Sequence, residues 1–303
     1  MNNRHRFLLP MIASSVILLL LSSCSSAPKR PPEVFTNRNA SMGQLDLANQ
    51  SVAQGDYQSA HIFLDEAWRL AVSTDDPESR VKVQLARGNA WFNQGQRDQA
   101  HEIWMQALND AQFVQDSQLM SLCRLYLARG TLPEGSAEDI SPEERQIRAH
   151  AAKSVARAEL PVLKSNQLHL AFVWKVIGLA DKELGNWKES EAALREAANI
   201  HEKNRYLEDA AYDWYLIASV RSRAGLFTGA LQALHRALLF DRRAENTNGL
   251  GMNWMAVGQV YERMGETKKA RAAYTRASEI FDSGFLKANA EEARQLKNRL
   301  PVD

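Results

Sequence analysis

A pattern of small and aromatic residues recurs every 40 positions along most of this 303-residue chain. The clearest unit runs from Trp254 to Ala277, WMAVGQVYERMGETKKARAAYTRA. Trp254, Val257, Gly258 and Tyr261 fall at offsets of three and four, which places them on one face of a helix, and Ala270, Tyr274 and Ala277 do the same further on. Gly265 stands between the two runs, where a helix ends on a residue that tolerates positive φ and a second helix folds back. The spacing predicts a helical hairpin. Small residues at Gly258, Ala270 and Ala277 permit close approach, and the aromatics fill the space between the helices.

Forty residues upstream the same frame holds Trp214, Ala218, Gly225, Ala230, Leu234 and Ala237, and forty before that Trp174, Gly178, Gly185, Ser190, Leu194 and Ala197. Two further units lack the leading Trp: Gly88, Trp91, Gly95, Ala100, Trp104 and Ala107, preceded by Ala48, Gly55, Ala60, Leu64 and Ala67. The second and fourth units lie 90 residues apart rather than 80, and Gly130 to Ser141 (GTLPEGSAEDIS) supplies the excess. The third unit is degenerate, with Ala128 on its first helix and Ala151, Val155 and Ala158 on its second. These recurring Trp, Gly, Tyr and Ala positions resemble the tetratricopeptide repeat (TPR). The resemblance implies an all-α solenoid of about six hairpins spanning 41–284, in which Trp174, Trp214 and Trp254 are struts of a shared core. A period of 40 exceeds the family's usual length of about 34, so helices or connections are expected to be longer by about a turn.

Start and stop signals fit this frame. Asp76-Pro77 reads as a helix cap followed by proline at the first helical position, and Ser141 with Glu144 as a capping box. Leu160-Pro161 is expected to close its helix, because the residue before a proline is pushed out of the helical region. From Phe285 to Leu300 the residues Phe285, Leu286, Ala290, Ala293, Leu296 and Leu300 form one more apolar stripe, a capping helix within 285–303 that covers the open end of the array. No stretch alternates as a strand would.

The N-terminus carries a different signal. Arg4, His5 and Arg6 precede an apolar run of 15 residues from Phe7 to Leu21, interrupted by Pro10 and too short to span a bilayer, so 1–23 reads as a signal peptide. Leu21-Ser22-Ser23-Cys24 resembles the bacterial lipobox, which implies that Cys24 is lipidated and becomes the mature N-terminus. Ser25 stands where an inner-membrane retention signal would place Asp, so in an envelope with two membranes the resemblance implies the periplasmic face of the outer one. Residues 24–40, with Pro28, Pro31 and Pro32 and few apolar side chains, read as an extended tether.

Composition and motifs exclude several functions. Loss of Arg4 and Arg6 with the leader leaves 35 Lys and Arg against 36 Asp and Glu, interspersed, which gives no basic face for nucleic acid. The seven histidines show no HExxH or Cys/His spacing, and there is no GxSxG, Walker or GxGxxG sequence, so neither an enzyme, a metal site nor a cofactor is expected. Cys123, among Leu122, Leu125 and Tyr126, reads as a buried thiol, with an intermolecular disulfide as the alternative.

In TPR arrays the first helix of each hairpin lines a concave surface. The resemblance places Asn49, Lys82, Asn89, Asn93, Lys175, Lys182, Tyr212, Tyr215, Ser222, Arg223, Gln259 and Arg263 there, a polar groove with basic points. Such amides can bind peptide backbone and such cations its carboxylates. Leu45 and Leu122 stand where the dicarboxylate clamp of chaperone-binding TPR domains has lysine, so that activity is not implied. The expected function is a lipid-anchored interaction scaffold that binds a peptide segment or another envelope protein, similar in layout to the pilotin-type lipoproteins of type IV pilus secretins. An accessory or ligand-binding lipoprotein of a periplasmic transport system, with Phe172, Tyr212 and Tyr215 lining a cavity, is the alternative. Oligomeric state is left open.

Overall fold

The computed structural model describes residues 35–133 and 140–301; the leader, Cys24, most of the tether and the centre of the 130–141 insertion lie outside them. The described residues form thirteen α-helices: α1 Thr36–Ala53, α2 Tyr57–Ser73, α3 Pro77–Asn93, α4 Arg97–Phe113, α5 Ser117–Thr131, α6 Pro142–Leu163, α7 Gln167–Glu183, α8 Trp187–Asn204, α9 Leu207–Arg223, α10 Phe227–Ala244, α11 Thr247–Arg263, α12 Thr267–Ser283 and α13 Lys287–Arg299. They pair as six hairpins followed by the capping helix α13, an all-α solenoid of TPR type.

The period is written into the turns. Gly55, Gly95, Gly185, Gly225 and Gly265 close their hairpins at φ between 73° and 79°, a region that costs glycine nothing. Between hairpins the same left-handed step falls on Asp75, Gln115, Arg205, Glu245 and Phe285. Each turn is then closed by a backbone N–H reaching the carbonyl five residues back, as in Tyr206 to His201 (2.9 Å) and Glu266 to Tyr261 (2.9 Å). One left-handed residue every 20 positions makes helices of 17 or 18 residues, roughly 26 Å long at 1.5 Å per residue. The extra residues of the 40-residue period therefore lie in the helices.

Within a hairpin, residues 16 apart face each other. Leu194 meets Gly178 and Tyr274 meets Gly258, where an added Cβ would lie 2.6 Å and 2.5 Å from the opposing side chain. Trp104 stands against Gly88 in the same way, with its indole N–H donating to the Leu85 carbonyl at 3.1 Å. The size pairing builds one continuous core from Val81 to Ala273. Trp214 is buried in it, while Trp174 and Trp254 are half-buried against it, Trp254 beneath the Arg276 guanidinium at 4.5 Å. Cys123 is fully buried, and burial pushes its thiol up to about 12, as the inert reading requires.

Three boundaries and one cap differ from those expected. α1 begins at Thr36, five residues upstream of the expected array start at Ser41, because Arg38 reaches the capping carboxylate of Asp76 (Nε to Oδ2 3.0 Å), a polar contact that leaves no apolar period. α6 continues through Pro161 to Leu163, and Lys164 N–H still finds the Leu160 carbonyl at 3.0 Å, so the proline bends no boundary into place. Ser141 accepts from Glu144 N–H at 3.1 Å, but the Glu144 side chain binds Arg148 at 2.7 Å instead of reaching back to close the box. Phe285 is 85% exposed in the last turn, and the stripe that seals Met255, Ala277 and Phe281 consists of Leu286, Ala290, Ala293 and Leu296.

Candidate functional site

The first helices form an inner layer. α3 touches α5, α5 touches α7, α7 touches α9 and α9 touches α11, whereas the second helices have no comparable mutual contact among the described residues. A curved stack brings together the helices on its concave side, so the first helices face inward. All twelve residues assigned to the groove lie on first helices: Asn49 on α1, Lys82, Asn89 and Asn93 on α3, Lys175 and Lys182 on α7, Tyr212, Tyr215, Ser222 and Arg223 on α9, and Gln259 and Arg263 on α11.

Five of them converge. Tyr215, Ser222, Arg223, Gln259 and Arg263 line a cavity of about 200 Å³ between α9 and α11, with Ser219 beside them and Ala218, Leu234, Ala256 and Val260 as its apolar wall. Arg263 donates to the Ser222 carbonyl at 2.7 Å and to its hydroxyl at 2.8 Å, and its guanidinium lies 5.1 Å from the Phe227 ring centre. Arg223 reaches Glu183 on the preceding first helix at 3.4 Å. The period places these groups, since 223 and 263 are equivalent positions at the last turns of α9 and α11.

Lys175 is a different kind of residue from the free basic point expected. It is 8% exposed, with Nζ 3.1 Å from Asp213, 3.6 Å from Asp209 and 5.2 Å from the Tyr212 ring centre. Burial opposes its charge, yet Asp213 and Asp209 hold the ammonium above the ordinary lysine range. Lys182 is pushed below that range, chiefly by burial and also by Arg223 and Arg129, against the attraction of Glu183 at 3.6 Å. The remaining five, with Tyr212 beside Lys175, do not join the cavity. Lys82 pairs with Glu78 on its own helix at 2.6 Å, Asn49 and Asn93 are exposed, and Asn89 is half-buried. Lys82 does stand close enough to His169 on α7 to lower its pKa, adding to the larger effect of burial.

One polar feature escaped the sequence reading. At matched positions between successive hairpins, His201 Nδ1 meets Asp213 Oδ2 at 2.6 Å, and forty residues on Asn253 Nδ2 donates to Asp241 Oδ2 at 2.6 Å. All four are buried, and Asn246 also donates to Asp241 at 2.9 Å. The same pair of positions holds Ala71 and Val83, Ala111 and Cys123, and Phe281 and Ala293 at other interfaces. Comparison of equivalent positions would have exposed it, because polar residues occupy an apolar slot. The first pair is balanced by Lys175. The second is met by neutral amides, and burial pushes Asp241 up to about 7, helped by Glu208 and opposed by Asn246 and Asn253.

Among the described residues no three His, Cys, Asp or Glu side chains are grouped to hold a metal, and no helix is long and apolar enough to cross a membrane. The arrangement offers hydrogen bonds and charge to a bound chain, with no nucleophile and base in contact at the cavity.

No family model matches this sequence, and no curated protein matches it either. Solved structures share the fold. The Rap protein complexed with Competence and Sporulation Factor aligns at a TM-score of 0.54 with 14% identity, over 87% of this chain and 75% of that one. BtubC of P. vanneervenii aligns at 0.51 with 18% identity, over 87% and 94%. A thermophilic TPR protein of Thermus thermophilus aligns at 0.50 with 15% identity, over 71% and 99%. The likeness at these identities is one of fold: the chain is similar to TPR-type helical-repeat proteins in the order and pairing of its helices.

Proposed function

We propose that this protein is a lipid-anchored scaffold of the bacterial cell envelope that holds an extended peptide segment or a partner protein against its inner helices. The observation that carries the reading is the inner layer itself, a continuous row of first helices on which five polar groove residues from two helices converge. Side-chain amides, hydroxyls and guanidinium groups spaced along such a surface match the donors and acceptors of an extended backbone. The Rap protein supplies a precedent, since a solenoid of this fold is found in complex with Competence and Sporulation Factor. The envelope address rests on the leader and on Cys24, and a place in the assembly of an envelope machine, pilotin-like in layout, rests on that address together with the groove.

The transport-accessory alternative asks for an enclosed aromatic cavity. Phe172 instead packs on Tyr126 at 4.6 Å, and Tyr212, 43% exposed, stacks on Tyr215 at 6.1 Å, which favours an open groove.

Two measurements test the proposal. Crosslinking capture from membranes, comparing wild type with Tyr215→Ala, Gln259→Ala and Arg263→Ala combined, should lose the partner; an unchanged partner set would count against the groove. Cys24→Ser should move the protein out of the membrane fraction, and persistence there would remove the lipid anchor from the account.

A further inference from the structure

We infer that the first hairpin is a lid on the inner face, hinged at Asp75 and Asp76 and latched by Asn248 at its opposite end. Each hairpin packs on the next and the first also meets the last, so the hairpins form a closed circuit. Swinging the lid out opens that circuit sideways, and a segment in the middle of a partner chain then reaches the inner helices without threading. This use rests on the partner-binding reading; the motion itself does not.

The latch is small and far from the hinge. Asn248 donates to the Ala53 carbonyl at 3.1 Å from a half-buried position, and a Cβ at Gly55 would lie 3.5 Å from Leu286 and 3.6 Å from Asn248. Ala53 and Gly55 belong to the turn between α1 and α2, whereas Asp75 and Asp76 follow the other end of α2, about 26 Å away along its 17 residues. A contact that far from its pivot has leverage over the whole hairpin. One such hydrogen bond shifts an equilibrium by about fivefold, so the lid is held shut lightly.

The joint behind the latch is built to part. Leu45, Leu64 and Ala67 pack with Val83 and Ala90 of α3 in a cluster of their own, separate from the continuous core that begins at Val81. At the next joint, by contrast, Ala111 and Cys123 belong to the continuous core. Val83, Ala86 and Ala90, the α3 side of the first joint, are small and offer little apolar area. Around them the Tyr57 hydroxyl donates to the Asn93 carbonyl at 3.2 Å, Arg87 meets Asp65 at 2.5 Å and His61 meets Gln94 at 2.7 Å. These contacts are exposed or half-buried, and water replaces them when the helices separate. The hinge end stays joined: Asp75 makes the left-handed step at φ 49°, and Asp76 caps α3 through the Ser79 N–H at 3.2 Å while accepting from Arg38 Nε of α1 at 3.0 Å.

The test reads distances in the full-length protein in detergent, between spin labels at Gln58→Cys, next to the latched turn, and Lys287→Cys, at the start of α13; both residues are exposed, and Cys123 is buried. A second pair, Gln118→Cys with Lys287→Cys, reports the array behind the lid. Asn248→Asp removes the donor and sets a carboxylate against the Ala53 carbonyl, while the first turn of α11 favours the added charge and keeps the helix. In this variant the first pair should gain a population roughly 10 Å further apart, as a swing of about 25° over one helix length gives, about fivefold or more above wild type. The second pair should stay as it is. Amide exchange should quicken at residues 50–56 while the rest of α1 and α2 stays protected, as a hairpin moving whole requires. An unchanged first pair, both pairs broadened together, or protection lost throughout α1 and α2 would overturn the lid.

Discussion

The side-chain amide of Asn248 donates to the backbone carbonyl of Ala53 at 3.1 Å, across 195 positions of sequence. Ala53 ends α1 beside the Gly55 turn, and Asn248 opens α11 at the opposite edge of the array. A Cβ at Gly55 would lie 3.5 Å from Leu286, which precedes α13. The turn of the first hairpin thus rests against the residues that open α11 and precede α13. Asn248→Ala should cost about 1 kcal/mol. The loss should appear locally, as faster amide exchange around residues 50–56, with the exchange of α7 to α10 unchanged.

The Gly258 and Tyr274 pair predicts a rescue. Gly258→Ala drives a methyl into a fully buried ring whose hydroxyl is bound to Glu262 at 2.8 Å, and should destabilise by about 1–3 kcal/mol. The preceding hairpin solves the same position with Ala218 and Leu234. Gly258→Ala combined with Tyr274→Leu should therefore recover part of the loss in a denaturant melt, giving a favourable coupling between two sites that are each destabilising alone.

Lys175 belongs to folding before it belongs to binding. Lys175→Ala leaves Asp213 buried with only His201 beside it, and removal of one member of such a pair typically costs about 3–5 kcal/mol. Thermal unfolding should show this loss, whereas Arg263→Gln, on the exposed side of the cavity, should shift Tm little.

Asp241 gives a pH signature of definite sign. Its carboxyl is raised from 3.8 to about 7 in the folded protein, so between those values the native state holds a proton that the unfolded state has released. Unfolding becomes more favourable as pH rises through this window, and the penalty is complete above about 7. Protonated Asp241 can also donate to a turned Asn253 amide, whose Oδ1 is buried without a partner. Histidines with lowered pKa values, His61 and His169, act in the opposite direction, so the informative quantity is wild type minus Asp241→Asn. That difference should fall with pH between about 4 and 7, and a flat difference would show the carboxyl to be ordinary.

Five of the six hairpins were legible because each carries its own signal within 24 residues: a glycine where φ must be positive, and a small residue facing a large one 16 positions on. The turns between hairpins were not, since Asp75, Gln115, Arg205, Glu245 and Phe285 share a backbone conformation without sharing a residue type. Pro161 misled for a related reason: it costs the helix one bond to the i−4 carbonyl, but Lys164 N–H still closes on the Leu160 carbonyl and the helix runs two residues further, which the dipeptide alone does not reveal. Of the groove, position on a first helix was readable from the period. Burial of Lys175 was not, because its partners Asp209 and Asp213 come from the next hairpin. Closure by Asn248 depends on summed curvature over the array and has no local trace at all.

The central claim is that the inner face of this solenoid is where a partner binds, and site-specific photocrosslinking in cells tests it most directly. A photoreactive residue at Gln259, in the cavity between α9 and α11, should yield a discrete adduct, and the same residue at Leu239 on the exposed outer helix α10 should not. Equal adducts from both positions, or an adduct from Leu239 alone, would contradict it.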